Sequence, residues 1–377
     1  MTDSLTSGSW KIASVMGIPI RVHFSWLIVF GLISWSLSVA YFPQIAPDLP
    51  ALSYWIKGVL AALLLFVSVA LHELSHSFVA RRYGMTISSI TLFIFGGVAQ
   101  MKSEPPHPRA EFWIAVAGPA CSFLLAGLFY GLSQRAEGGS FALLNYLARI
   151  NFLIGVFNLI PGFPMDGGRV LRSLLWSRTK NLLRATRRAA AVGQLFALLF
   201  LFYGFFSLFT GLPGGLWLML IGWFLFSAAQ ASYQSTSLQH ALSDVKVRNI
   251  MTQDLVTLPA STNLAEAVDR YFLRYGYGGF PVFDGPRFLG FVTLKEVKNV
   301  PRERWDAVRV GDVAVPHDSR WEVSGDDGVM TALEMMLGAD RGRIAVMEQG
   351  QMKGLITRNG IARYVQIRGI ILPEGEH

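Results

Sequence analysis

The 377-residue chain has a single cysteine, Cys121, so no disulfide can form within it. Cys121 sits in an apolar run, where a packed small residue is expected rather than a metal ligand. Charged residues are also scarce, at 15%, while 52% of residues are hydrophobic and the mean hydropathy is +0.40. Ordinary soluble chains hold roughly 45–50% apolar residues even with glycine counted, so a wholly soluble protein is excluded. Acidic residues are rarest in the first part. Residues 1–235 carry 7 of them against 16 lysines and arginines, a net +9, whereas the remainder carries 18 against 17, a net −1. The basic surplus clusters at the ends of apolar segments, which marks membrane topology and argues against a nucleic-acid partner. Residues 1–9 are polar and lack the basic and apolar regions of a cleavable signal peptide.

What is present is six apolar runs of about 20 residues, the length that crosses a bilayer as a helix. They lie near residues 23–42, 54–79, 111–132, 141–160, 189–210 and 212–233. Arg81, Arg82, Lys102 and Arg109 follow the second run, and Arg169, Arg172, Arg178, Lys180, Arg184, Arg187 and Arg188 follow the fourth. The loops after the first, third and fifth runs are almost free of basic residues, so both termini are expected in the cytosol. Residues 85–101 are β-branched and aromatic and read as strands at the cytosolic membrane face. Gly96 and Gly97 would interrupt them or allow close backbone approach. Strand edges cannot face lipid, so these strands must be covered by protein or open to water.

The second run ends in Leu71-His72-Glu73-Leu74-Ser75-His76. His72 and His76 are four apart, so on a helix they project from one face and can grip one ion. Glu73 lies beside them, placed to act on water at that ion. Ionisable groups inside a membrane segment are costly and rarely kept without a use. A hydrolytic zinc needs three protein ligands and an open position for water. The best candidate for the third is Asp166, in Asn158-Leu159-Ile160-Pro161-Gly162-Phe163-Pro164-Met165-Asp166-Gly167-Gly168-Arg169, which closes the fourth run on the side of His72. Pro161 and Pro164 stop the helix and let the chain turn back, and Gly167 and Gly168 permit a tight path around the carboxylate. Asn158 is an amide expected to be buried near the same membrane end. It could donate to a developing oxyanion or bond a backbone carbonyl freed near Pro161. The blander readings are an exposed helix without metal for the histidines and a helix cap for Asp166. Arg149 is expected to snorkel or form an ion pair, and His23, His107, His240, His317 and His377 to be interfacial or solvated. The pattern as a whole points to a protease that cuts inside the membrane.

After Ser235 the chain repeats itself. The six residues from Leu264 match those from Val329, and Gly290-Phe291-Val292-Thr293 matches Gly354-Leu355-Ile356-Thr357, an offset of about 64 residues. Two copies of one small αβ module are the simplest explanation.

At these residues the chain resembles the site-2 protease family of intramembrane zinc metalloproteases. The likeness rests on His72 through His76, on Gly96-Gly97, on Ala117-Gly118-Pro119-Ala120 and on Asn158 through Asp166-Gly167, and it covers the chain to about Arg188. The resemblance implies zinc held by His72, His76 and Asp166, Glu73 as general base, and Asn158 as an aid to the transition state. It implies a single-pass membrane protein as substrate, such as a membrane-anchored transcription regulator or anti-sigma factor, clipped near the cytosolic face. Phe95, Gly96, Gly97 and Val98 would bind it as an added strand, because a helical substrate hides its peptide bonds and must unwind first. The C-terminal repeat resembles a tandem pair of CBS domains at residues 243–300 and 307–370, modules that often bind adenine nucleotides and form dimers. This resemblance brings forward Thr252, Thr293, Glu296 and Thr357 as contacts to ATP, ADP or AMP. The usual ribose-binding Asp is replaced by Glu296 in the first copy and Gly360 in the second. At most one competent nucleotide site is therefore expected, and a purely structural dimerisation pair is the alternative.

The expected protein is a polytopic α-helical membrane protein of a prokaryotic inner membrane. It has six transmembrane helices and a short membrane-associated β-sheet in residues 1–235, a cytosolic α/β CBS-domain pair, and a tail at residues 371–377. One Zn2+ per chain is the expected cofactor, and a homodimer through the CBS domains the expected assembly. Two rivals come from other classes. A membrane metal transporter with a cytosolic nucleotide sensor would need ligands at successive depths, and an inactive membrane-protein scaffold would have no need of Glu73.

Overall fold

The computed structural model describes residues 8–371 apart from residues 95, 102, 103, 213 and 340. It divides into two compact units, Met1–Thr236 and Ser237–His377. In the first, β1 (Ser9–Val15) and β2 (Ile18–His23) form a hairpin. Its two-residue turn has Met16 and Gly17 at φ 52° and 80°, the backbone that matches the twist of the flanking strands. Then come α1 (Ser25–Ile45), α2 (Ala51–Arg82), β3 (Ile87–Phe93), β4 (Gly96–Met101), α3 (Pro108–Ser133), α4 (Gly138–Asn158), α5 (Asp166–Thr179), α6 (Leu182–Phe209) and α7 (Gly215–Leu242).

All of these helices except α5 are long and apolar enough to cross a membrane, and they coincide with the six expected runs. With 32 residues, α2 is the longest. At 1.5 Å per residue it spans about 48 Å, more than the roughly 30 Å hydrocarbon layer. Leucine and phenylalanine side chains such as Leu124, Phe202 and Leu216 point outward. Helix contacts are made through small residues that let backbones approach. A Cβ on Gly58 of α2 would stand 2.7 Å from the Ser34 carbonyl of α1, and the neighbouring Ala61 and Ala62 are fully buried.

The strands at β3 and β4 lie where strands were expected. The hairpin β1–β2, unassigned by the sequence reading, extends them into a sheet of order β1-β2-β3-β4. Strand β2 runs parallel to β3 with Ile20 opposite Ile90, and β3 pairs antiparallel with β4. Alternate residues Ile18, Ile20 and Val22 are buried, the period of a strand with one covered face. Ile18, Ile87 and Ile90 pack with Ala80 and Met85, around the end of α2, and with Ala110 and Ile114 of α3. This packing seats the sheet at the end of α2 that carries the histidines. Strand β4 is one of the two edge strands, β1 being the other.

The second unit contains two copies of one module. The first copy has β5 (Leu258–Pro259), α8 (Leu264–Ala267), β6 (Gly279–Asp284), β7 (Arg287–Thr293) and α9 (Leu294–Lys298). Next come α10 (Val310–Val313) and β8 (Val315–Pro316), and then the second copy with β9 (Glu322–Val323), α11 (Val329–Gly338), β10 (Arg343–Glu348), β11 (Gln351–Thr357) and α12 (Arg358–Ile371). Even the irregularities repeat: each hairpin shifts register beside its glycine, after the Val282–Gly290 pair and after the Val346–Gly354 pair. A crossing segment lies against each glycine, Met251-Thr252 at Gly354 and Val315 at Gly290. The segment that opens one copy thereby packs in the core of the other. Val245 and Val247 join Val323, Val329 and Ile344, while Val310 joins Leu258, Phe280 and Val282. The expected tail, from residue 372 onward, lies outside the described residues.

Candidate active site

Helices α2 and α5 bring three side chains to one point. His72 and His76 lie on one face of α2, and Asp166 is the first residue of α5, just beyond its N-cap Met165. Asp166 Oδ2 stands 3.2 Å from Nε2 of His72 and 3.2 Å from Nε2 of His76. The ligand atoms of all three lie within 4.8 Å of one another, and no other such cluster occurs among the described residues. Both histidines are buried, and the Asp166 side chain is 12% exposed.

Helix α3 sets the direction of both imidazoles. Nδ1 of His76 lies 2.6 Å from the Ile114 carbonyl, and Nδ1 of His72 lies 2.8 Å from Ser122 Oγ. A carbonyl only accepts, so Nδ1 of His76 donates. In the neutral ring, Nε2 is then a bare lone pair aimed at an anionic oxygen, and a cation between them turns that repulsion into attraction. Two nitrogens and one carboxylate oxygen are the donor set of a zinc site with an open position. Ligands of tetrahedral zinc stand about 3.3 Å apart, close to the two Nε2–Oδ2 separations of 3.2 Å. Gly118 of α3 completes the cradle, since a Cβ there would fall 2.5 Å from Nε2 of His72 and closer still to His76.

Glu73 follows His72 on α2 and lies against β4: a Cβ on Gly97 would stand 2.6 Å from Glu73 Cγ. The candidate base and the candidate substrate strand are therefore neighbours. Gly96 opens β4 at φ 124°, a conformation suited to glycine. Val98 is exposed, and Phe95 lies outside the described residues. Asn158 ends α4 and is half-buried, whereas burial had been expected of it. The fully buried amide of α4 is Asn151, which donates to Ser68 Oγ (3.3 Å) and to the Leu147 carbonyl (2.8 Å). Gly167 and Gly168 serve packing inside a helix rather than a tight turn. Their Cβ positions are filled by the backbone of Leu159–Ile160 and of Gly162–Phe163 respectively.

Sequence reasoning missed Ser122, Ile114, Glu111 and Arg172. Ser122 and Ile114 carry no signal, one being a small polar residue in an apolar helix and the other acting through its backbone. Glu111 was the exception: an acidic residue at the start of an apolar run invites a search for its partner.

In the second unit, the Thr293 hydroxyl and backbone N–H both contact Glu296 Oε2, the latter at 2.8 Å, in a capping box at the start of α9. In the other copy, Thr357 Oγ1 accepts from the Gly360 N–H at 3.0 Å, the half of that box which survives without a glutamate. Thr252 exchanges backbone hydrogen bonds with Leu355. Burial lowers the Arg343 pKa from its ordinary value, against the opposing charge of Glu296.

Six spanning helices, a two-histidine, one-carboxylate centre at a helix end and an appended pair of small αβ modules define a membrane metalloprotease with CBS domains. Residues 60–138 and 133–202 match peptidase family M50, and residues 247–303 match the CBS domain. The Rip3 protein of Mycobacterium tuberculosis is 35% identical over 372 residues, covering 96% of this chain and 94% of its own. Zinc metalloprotease MJ0392 of Methanocaldococcus jannaschii is 31% identical over 361 residues, covering 95% of this chain and 96% of its own. Among solved structures, a site-2 protease from Methanocaldococcus jannaschii is 34% identical at a TM-score of 0.43, covering 60% of this chain and 95% of that one. The chain belongs to peptidase family M50, the site-2 protease family.

Proposed function

We propose that this protein is an intramembrane zinc endopeptidase that cuts the spanning segment of single-pass membrane proteins. The observation that carries the reading is the convergence of His72, His76 and Asp166 within 4.8 Å at the end of a membrane helix. These three would hold the zinc, which when bound supplies a Lewis acid for water and the scissile carbonyl. Glu73 takes the proton of the attacking water and delivers it to the leaving nitrogen. Asn158 donates to the oxyanion. Gly96, Gly97 and Val98 of the edge strand β4, with Phe95 preceding them in the sequence, receive the unwound substrate as a further strand. The position of β4 against Glu73 supports this, because a chain paired there runs past the base. Replacing Glu73 by Gln is expected to leave zinc binding intact and to lower cleavage by about 10²–10⁴-fold. Membranes from cells carrying that variant should accumulate uncut precursors in comparative proteomics. Normal turnover of every membrane protein would sink the assignment.

The reading extends to regulation and place. The CBS pair, at residues 243–300 and 307–370, lies in the cytosol, binds one adenine nucleotide near Thr252, Thr293, Glu296 and Thr357, and forms a homodimer. Glu296 is already engaged by its own helix start, so nucleotide binding is expected to displace the Thr293 contact. Calorimetric titration of ATP or AMP into the detergent-purified protein should give one site per chain, lost in Glu296→Ala. Absence of heat for both nucleotides leaves dimerisation as the module's role.

A further inference from the structure

Beyond the three candidate ligands, the first unit buries a second set of ions. The Glu111 side chain, in the first turn of α3, is 0% exposed, and that of Arg172, on α5, is 6% exposed. Arg172 Nε donates to Glu111 Oε1 at 2.6 Å, and its Nη2 reaches the same oxygen. The Nη2 group also donates to Glu104 Oε2 at 3.1 Å. Arg169 stands alongside, its Nε 4.0 Å from Glu111 Oε1. The Arg172 guanidinium lies 5.3 Å from the ring centre of Phe163, in the segment that leads into Asp166.

A buried ion pair is weak evidence for stability, because desolvation of the two charges offsets their attraction. Its value here lies in what it joins. Three residues after Glu111, α3 presents the Ile114 carbonyl that holds His76, and further on it supplies Gly118 and Ser122 against both imidazoles. Six residues before Arg172, α5 presents Asp166. The pair thus links the helix that aims two ligands to the helix that carries the third. Two nitrogens of the rigid, planar guanidinium converge on one oxygen of Glu111, and a third contact runs to Glu104, so orientation is limited as well as distance. We propose that Glu111 and Arg172 are positioning residues of the metal centre, their contact holding α5 in register with α3 so that Asp166 Oδ2 meets both Nε2 atoms. This rests on His72, His76 and Asp166 being the zinc ligands.

The test is zinc affinity of the full chain in detergent, measured by competition with a chelating dye. Arg172→Lys keeps the cation but loses the fork, and Glu111→Gln keeps the shape but loses the charge. Each should weaken zinc about 10–100-fold, as loss of an outer partner of a metal ligand does. The double variant should be no weaker than the worse single one, since the two residues act through each other. Leu147→Ala, in the core cluster of α4 away from the ligands, should lower the melting temperature and leave zinc affinity alone. A merely structural role predicts that the brace variants behave like it. Zinc affinity of Arg172→Lys within about two-fold of wild type overturns the proposal, and this variant decides alone if Glu111→Gln does not fold. If Asp166→Ala also leaves zinc affinity unchanged, the ligand assignment itself has failed. If Asp166→Ala abolishes binding while Arg172→Lys does not affect it, only the brace has.

Discussion

A methyl group at position 118 has nowhere to go. The imidazoles of His72 and His76 occupy that space from one side, and the backbone of α3 closes the other. Gly118→Ala is therefore expected to push the imidazoles away from Asp166 and to weaken zinc by at least the 10–100-fold typical of outer-shell damage. Equilibrium dialysis of the purified variant against zinc would check this, and unchanged zinc content would mean the helices separate at little cost. The meeting of His72, His76 and Asp166 was legible from the sequence, because a four-residue spacing on a helix and an acidic residue after a proline-broken span are one-dimensional signals. The groups that aim them were not. Ser122 and the Ile114 carbonyl meet the imidazoles only because α3 crosses α2, and nothing local in either segment announces a crossing point.

At the scale of elements, Gly97 is where β4 presses on Glu73 of α2. A side chain at position 97 would displace Glu73 rather than the histidines, so Gly97→Ala separates the two halves of the site. The expected result is a kcat lowered by about 10²-fold or more, in line with loss of a general base, with zinc affinity unchanged. Loss of zinc in this variant would show instead that β4 supports the ligands. The six spans were plain from length and hydropathy alone. So were β3 and β4, whose β-branched residues stood out between apolar helices. The hairpin β1–β2 was not, because Ile18 to His23 merge into the apolar run that follows and their buried alternation is visible only once β3 lies beside them. Helix α5 was hidden for a different reason. Its buried Gly167 and Gly168 are poor helix formers by propensity, and close packing against the preceding loop overrides that preference.

At the scale of the molecule, charge is the organising signal. The strongly basic segments follow the second and fourth spans and so share one side, and an even number of spans returns the chain to the side on which it began. Positive loops stay in the cytosol, so the ends of α2 and α4, the segment carrying Asp166 and the whole C-terminal unit should face that compartment. The near-neutral C-terminal unit adds no conflicting signal, since its 17 basic and 18 acidic residues almost cancel. The lone cysteine makes this simple to test. With Cys121 replaced by Ser, single cysteines at Ser177 in α5, at Leu212 between α6 and α7, and at Asp254 in the second unit report three positions, all exposed. A membrane-impermeant maleimide applied to spheroplasts should label only the cysteine at 212, and lysis should expose the other two. Labelling at 177 before lysis would place the metal centre on the outer face, and labelling at 254 would place the CBS pair there. In the first case a substrate would be cut near the end of its spanning segment away from the cytosol, and in the second no cytosolic nucleotide could govern the reaction through the CBS pair.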